Sequence, residues 1–283
     1  MPDSLRSRTP LEVRHLFDLI RSRRADPIYR LMGALVHEGD AVADIGANRG
    51  WYTGRLAELV GPSGHVHVFE PNPLHWPPLH AIAGARSTLT IYPLALSDHA
   101  GTEGLHIPLR EGEAMDAWAR LSLPASSISL AHDCIPVRVE RLDAILPTVG
   151  PGLTFVKCDV EGHEPAVIRG AEATLRRSRP ILIVEIEQRH QDTDIRQTFR
   201  QLTSLGYTGY SLSPHGLRPL EEFDVRREQL AFLEDAAPYS MPPDGYINNF
   251  LFVSAKDRDK VEVLRKLPFK AIGSVERVDS HLG

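Results

Sequence analysis

From residue 41 onward the chain alternates short apolar runs with helix-patterned segments, and this alternation limits the fold more than any other feature. Apolar runs joined by amphipathic helices predict parallel strands, because a parallel neighbour is reached only through a crossover. Seven strands are expected, over 41–45, 65–69, 89–94, 154–158, 181–186, 207–212 and 249–253. Helices are expected over 52–60, 74–83, 166–176 and 195–205. Residues 98–134 are rich in Gly, Ser and Pro and read as an irregular insert or lid. A hairpin linking 103–107 and 135–139 is expected around it. The fold class is therefore α/β: a doubly wound, mostly parallel, Rossmann-like sheet.

The flanks read differently. Thr9, Pro10 and Glu12 form a helix-start signal, and Val13, Leu16, Phe17 and Ile20 share one helical face. Asp26-Pro27 repeats the signal before Ile28, Leu31 and Leu35. The expected organisation is a helical extension over 1–35, the main domain over 36–254 and a peripheral tail over 255–283. The N-terminal helices pack on the domain or on a second copy of the chain, giving a homo-oligomer. In the tail Val261, Leu264 and Leu267 recur at helical spacing.

Composition narrows the function. A net charge of −5 over 283 residues argues against a dedicated nucleic-acid binder. Two cysteines, Cys134 and Cys158, make no disulfide framework, and Cys158 reads as a small buried residue. With no membrane-length apolar run and no secretory signal, the expected location is the cytoplasm.

In an open parallel sheet, ligands bind beyond the carboxyl ends of the strands. The first such turn is Asp44-Ile-Gly46-Ala-Asn48-Arg-Gly50, and Glu70 follows twenty residues later at the end of the second strand. Glycines there admit tight turns, and a carboxylate at Glu70 suits a ribose diol. Dinucleotide sites use G-x-G-x-x-G to seat a pyrophosphate, whereas this turn is G-x-N-x-G with an acid before it. Asp44 would repel a pyrophosphate and favour the cationic S-adenosylmethionine (SAM).

Residues 157–164, Lys-Cys-Asp-Val-Glu-Gly-His-Glu, leave the fourth strand. Asp159, Glu161 and His163 are the catalytic candidates, while Glu164 reads as a helix-start acid. Glu185 and Glu187 alternate onto one side of the fifth strand, at the rim, and His190 is expected on the surface. Asp159 with Glu185 offers oxygen ligands for Mg²⁺. No tight ligand spacing is present, so a general base is favoured over a metal.

Together these motifs resemble the FkbM-type SAM-dependent methyltransferases. The resemblance runs through 44–53, Phe69-Glu-Pro-Asn-Pro73, Ala95-Leu-Ser-Asp98, Arg141-Leu-Asp143, 157–164, Val184-Glu185-Ile186 and 248–253. It implies a class I methyltransferase fold and O-methylation of a sugar or natural-product hydroxyl. It also implies that Asp44, Gly46, Asn48, Gly50 and Thr53 border the methionine moiety, and Tyr52 and Asn72 fall within the same motifs. By the same resemblance Glu70 holds the ribose, and Ala95, Leu96 and Ser97 flank the adenine. The acid often found after the third strand is absent, since that stretch reads Pro93-Leu94-Ala95. Trp118 in the insert, with Glu185, Glu187 and Asn249, is assigned to the acceptor side. The rival readings are an N- or RNA-directed methyltransferase and a catalytically silent SAM-binding partner subunit.

Overall fold

Asp26 begins the ordered scaffold: its carboxylate accepts the Ile28 N–H at 2.8 Å and caps helix α1 (Pro27–Leu35). Pro27 occupies the first turn, where its missing N–H costs nothing. The computed structural model describes residues 26–267 apart from 85, 125–130, 147–151, 235–239 and 241–242. The expected helix around Val13 to Ile20 lies outside the described residues.

The first half of the main sheet follows the expected alternation. Strand β1 (Ala41–Ile45) leads to α2 (Trp51–Val60), β2 (His65–Phe69), α3 (Trp76–Ala83) and β3 (Leu89–Tyr92). Every residue of β1 is buried, as a strand covered on both faces must be. β3 stops at Tyr92 rather than residue 94, because Pro93 has no N–H for the ladder. The chain then turns into β4 (Ala95–Leu96), which joins a different sheet.

That second sheet is the insert. β5 (Gly101–Arg110), β6 (Glu113–Ala114) and β7 (His132–Glu140) combine with β4 in the order β4-β7-β5-β6. The expected hairpin is present, with Glu103 opposite Val137 and Leu105 opposite Ile135. It is longer than the sequence pattern suggested, since it pairs from Gly101 to Pro108. Most of residues 98–110 is thus regular strand.

The second half contains α4 (Leu142–Ile145), β8 (Phe155–Cys158), α5 (Glu164–Gly170), α6 (Glu172–Ser178), β9 (Ile181–Glu185), α7 (Arg196–Ser204), β10 (Tyr207–Ser213), β11 (Gly216–Pro219), α8 (Val225–Glu228), β12 (Asn249–Ser254) and α9 (Arg258–Leu264). The single helix expected over 166–176 is two helices that meet at Gly170-Ala171. Asp143 caps the second, accepting the Ala173 and Thr174 N–H groups at 2.9 and 2.8 Å.

The main sheet has the order β11-β10-β12-β9-β8-β1-β2-β3. β2, β1, β8 and β9 run parallel, while β12 lies antiparallel between β9 and β10. The seven expected strands are present, and β11 extends the sheet to eight by a short hairpin at its edge. Apolar layers cover both faces. One gathers Leu31, Leu56, Val68, Leu251 and Leu264, so α1 and α9 share a core with the sheet. The other gathers Ile45, Leu96, Val167, Phe199 and Phe250. Strand order reverses between β1 and β8, which makes their carboxyl ends the natural ligand crevice.

Gly170 shows how closely the layers approach. A Cβ there would stand 1.9 Å from the Ser97 carbonyl oxygen. Gly170→Ala is therefore expected to cost about 1–3 kcal/mol of stability, a melting temperature lower by roughly 2–10 °C. Calorimetric melting of the variant beside the wild type checks this.

Candidate active site

The turn after β1 is shaped by left-handed backbone: φ is 74° at Gly46, 51° at Asn48 and 82° at Gly50. Gly46 admits no side chain, because a Cβ would lie 1.8 Å from the carbonyl oxygen of Asp159. Asp159 N–H in turn donates to Ile45 O at 2.9 Å. The turns after β1 and β8 are thus in backbone contact at the point where strand order reverses.

Glu70 ties the next turn to them. Its Oε2 accepts the Asn48 N–H at 2.7 Å, and its Oε1 accepts the Asn72 N–H at 2.8 Å. These bonds leave further acceptor capacity on each oxygen, since a carboxylate has about four lone-pair sites.

A cleft of about 660 Å³, its open mouth included, lies over these turns. Gly46, Asn48, Glu70, Pro71, Leu94, Ala95 and Leu96 line one end, and Asp159, Glu161 and His163 line the other. The insert supplies the facing wall through Leu105, Asp116, Ala119, Arg120 and Leu121. That size and mixture suit a small-molecule site. The sequence-derived candidates from both halves of the sheet therefore meet in one cavity.

Other candidates support the wall from behind. Asp44 is buried, accepts the Thr53 hydroxyl at 2.6 Å, and is pushed up to about 6 by burial. Gly50 caps α2, and the Tyr52 hydroxyl donates to Asp26 at 3.0 Å. Asn72 accepts the Leu74 N–H at 3.1 Å, and Ser97 Oγ meets His163 Nε2 at 2.9 Å. None of these six residues lines the cleft.

The catalytic candidates occupy distinct environments. The Asp159 side chain keeps 28% exposure, and Oδ2 lies 3.3 Å from the buried Lys157 ammonium. His163 sits with Nε2 on Ser97 and Nδ1 3.4 Å from Ser122 Oγ, and burial lowers its pKa. Glu161 is pushed up to about 8 by burial and by nearby Asp159. His190 Nδ1 lies 2.9 Å from Glu161 Oε2, and burial drives His190 down to about 3. Burial thus favours the uncharged form of both groups.

Three expectations change. His190 is buried, not superficial, because the turn after β9 folds it under the insert against Glu161 and Trp118. Trp118 is buried with the Arg189 guanidinium 4.5 Å from its ring centroid, so it anchors the insert and does not line the cleft. Glu185 and Glu187 both accept from Asn248 Nδ2, at 2.7 and 3.3 Å. Glu185 also accepts from Asn249 Nδ2 at 3.2 Å, and Glu187 accepts the Tyr246 hydroxyl at 2.6 Å. These side chains brace the β9–β12 end behind the cleft.

The pair named for a metal does not fit one. Asp159 and Glu185 converge on the Lys157 ammonium, at 3.3 and 3.9 Å, and a divalent ion would meet that positive charge. Among the described residues no group of three or more His, Cys, Asp or Glu side chains is arranged to hold a metal.

Lys157, Arg120 and Ser122 were not singled out from sequence. Lys157 did leave a trace, being the only lysine before residue 256. Arg120 and Ser122 left none, because a bridge between His106 and Arg120 brings them to the site through tertiary structure.

A sheet of this order, with a glycine turn after β1 and an acid after β2, defines a class I methyltransferase domain. The chain belongs to the FkbM methyltransferase family, the Methyltransferase FkbM domain matching residues 44–208. It is 29% identical over 177 residues to 31-O-demethyl-FK506 methyltransferase FkbM from Streptomyces tacrolimicus, covering 54% of this chain and 68% of that protein. Among solved structures it is similar to methyltransferase FkbM from Methylobacillus flagellatus KT, with TM-score 0.46 and 16% identity. That match covers 75% of this chain but spans only 43% of the other chain's length. An rRNA methylase from Streptococcus thermophilus matches with TM-score 0.43 and 12% identity, over 80% of this chain and 93% of that one. Among the described residues no helix is long and apolar enough to cross a membrane.

Glu164 gives a pH prediction. Its Oε1 accepts the Gly162 N–H at 2.9 Å, and burial raises its pKa from 4.5 to about 8. The folded state therefore holds a proton that the unfolded chain releases above about 4.5, so this group makes stability fall as pH rises to about 8. Glu164→Gln mimics the protonated form. The drop in melting temperature between pH 5 and 8 is expected to be shallower in the variant, as melting curves at several pH values will show.

Proposed function

We propose that the chain transfers a methyl group from SAM to a hydroxyl of a small neutral acceptor, a sugar or a natural-product scaffold. The observation that carries this reading is that one cleft joins the Gly46–Glu70–Leu96 face to Asp159 and His163. The cleft fits SAM. Gly46 and Asn48 line the cleft beside Asp159, Glu70 offers acceptor oxygens for ribose hydroxyls, and Pro71, Leu94, Ala95 and Leu96 form an apolar slot for adenine. Bound SAM supplies a methyl carbon made electrophilic by its sulfonium.

The protein's task is then to position the acceptor and remove its proton. Holding reactants in place is worth about 7–11 kcal/mol, and a well-placed base adds roughly 10²–10⁴-fold. Asp159 is the best-placed base, since its partly exposed side chain faces the cleft and both ring nitrogens of His163 already meet hydroxyls. As the acceptor oxygen bonds to the methyl carbon, its proton passes to Asp159. His163, held by Ser97 and Ser122, orients the acceptor, and Glu161 contributes as a neutral hydrogen-bonding group. Leu105, Ala119 and Leu121 from the insert exclude water.

The name of the Streptomyces relative describes transfer to an oxygen, which supports the O-directed reading. The carboxyl-rich lining, with Glu70, Asp116, Asp159 and Glu161, is unsuited to a phosphodiester backbone.

Titration calorimetry is expected to show micromolar binding of SAM and S-adenosylhomocysteine; binding of NAD in place of SAM would overturn the reading. Glu70→Ala is expected to weaken SAM by about 1–3 kcal/mol. With an acceptor found by mass-spectrometric screening, Asp159→Asn is expected to lower single-turnover methyl transfer a hundredfold or more. His163→Ala should also slow transfer while leaving SAM affinity nearly unchanged. Stable, SAM-saturated variants with wild-type rates would end the catalytic assignment.

A further inference from the structure

Lys157 is completely buried, yet it touches neither the cleft nor solvent. Its ammonium lies 3.3 Å from Asp159 Oδ2, 3.5 Å from the Cys158 carbonyl oxygen and 3.9 Å from Glu185 Oε2. It also stands 5.4 Å from the centroid of the Tyr52 ring. Charged and titratable groups face it from every element packed around it. Asp44 lies directly opposite on β1, Asp26 precedes α1, and Tyr52 belongs to α2. Glu185 ends β9, Cys158 ends Lys157's own strand β8, and Asp159 follows it in the turn. Burial disfavours the ammonium, but the surrounding acids outweigh it and its pKa is raised.

A core position needs no charge: an apolar side chain would fill it without desolvating an ion. What an ammonium adds is direction. The Asp159 main chain is already pinned to the end of β1 by its N–H bond to Ile45 O and by its carbonyl against Gly46. Lys157 then restrains the side chain through one carboxylate oxygen, Oδ2.

We propose that Lys157 is the positioning residue for Asp159, tethering Oδ2 and stabilising the carboxylate so that Oδ1 is presented to the acceptor hydroxyl. This rests on the reading of Asp159 as the base. In the transfer step the hydroxyl proton passes to Oδ1, and Lys157 keeps its own proton throughout. The compact, flexible ammonium suits this position, the one lysine before residue 256 in a chain that otherwise uses arginine there for its permanent positive charge.

The tether is measured without an acceptor. Heteronuclear NMR of the labelled full chain follows the Lys157 Nζ resonance against pH, assigned with Lys157→Met. An opposite charge within a few ångström shifts a titration by about 1–3 units. In Asp159→Asn the Lys157 midpoint is expected to fall by about one unit or more, and by less in Glu185→Gln. In folded Lys157→Met, SAM affinity by calorimetry is expected to stay within about twofold. A Lys157 midpoint unmoved in Asp159→Asn, or moved more by Glu185→Gln, overturns the proposal. A large loss of SAM affinity in folded Lys157→Met also overturns it, by assigning the lysine to the cofactor. Should Lys157→Met fail to fold, the Asp159→Asn titration decides alone. The two readings fail separately: an absent coupling with an inactive Asp159→Asn removes only the tether, whereas wild-type methyl transfer by Asp159→Asn removes the base.

Discussion

The contact between Gly46 and the Asp159 main chain governs the geometry of the site. It forces the turns after β1 and β8 into backbone contact, and only glycine permits it. Because strand order reverses between these two strands, the contact also forms the floor of the crevice. Glu70 extends the floor by accepting from both Asn48 and Asn72. Asp159 is held by a main-chain bond to Ile45, and the Glu70 carboxylate by two backbone N–H groups, so the two turns stay in register.

Electrostatics then divides the acids around that floor into two kinds. Asp159 is matched to a buried cation and partly open to the cleft. Glu161 and Glu164 are buried among other acids, and each is pushed up to about 8. Carboxyls thus meet very different surroundings within six residues of chain. Divergent environments of this kind allow one acid to accept a proton while its neighbours act as neutral scaffolding.

The insert completes the cavity from outside the parallel sheet. Its hairpin is joined to the segment that leaves β3 through β4 and β7, where Ala95 pairs with Val139. Trp118 is held beneath Arg189, and Asp116 accepts from Arg49 at 2.6 Å, linking the insert to the turn after β1. The wall that faces Asp159 is therefore braced from both halves of the main sheet.

Local chemistry made much of this legible in the sequence. Alternating apolar runs announced the strands, turn residues marked the glycine loop, and Glu70 and Asp159 stood where parallel strands end. Each signal lies within a few residues, so spacing alone carries it. The β11 edge strand, the break at Gly170-Ala171 and the burial of His190 were not legible, because each is decided by a distant partner. The same holds for the proton on Glu161, which depends on desolvation by an insert about forty residues away in the chain. Sequence by itself determined the sheet, the crevice and the residues at its mouth. Tertiary structure alone decided which acids are charged, which side chains line the cleft, and that Lys157 lies beneath Asp159, because burial and charge proximity arise only when separate elements pack.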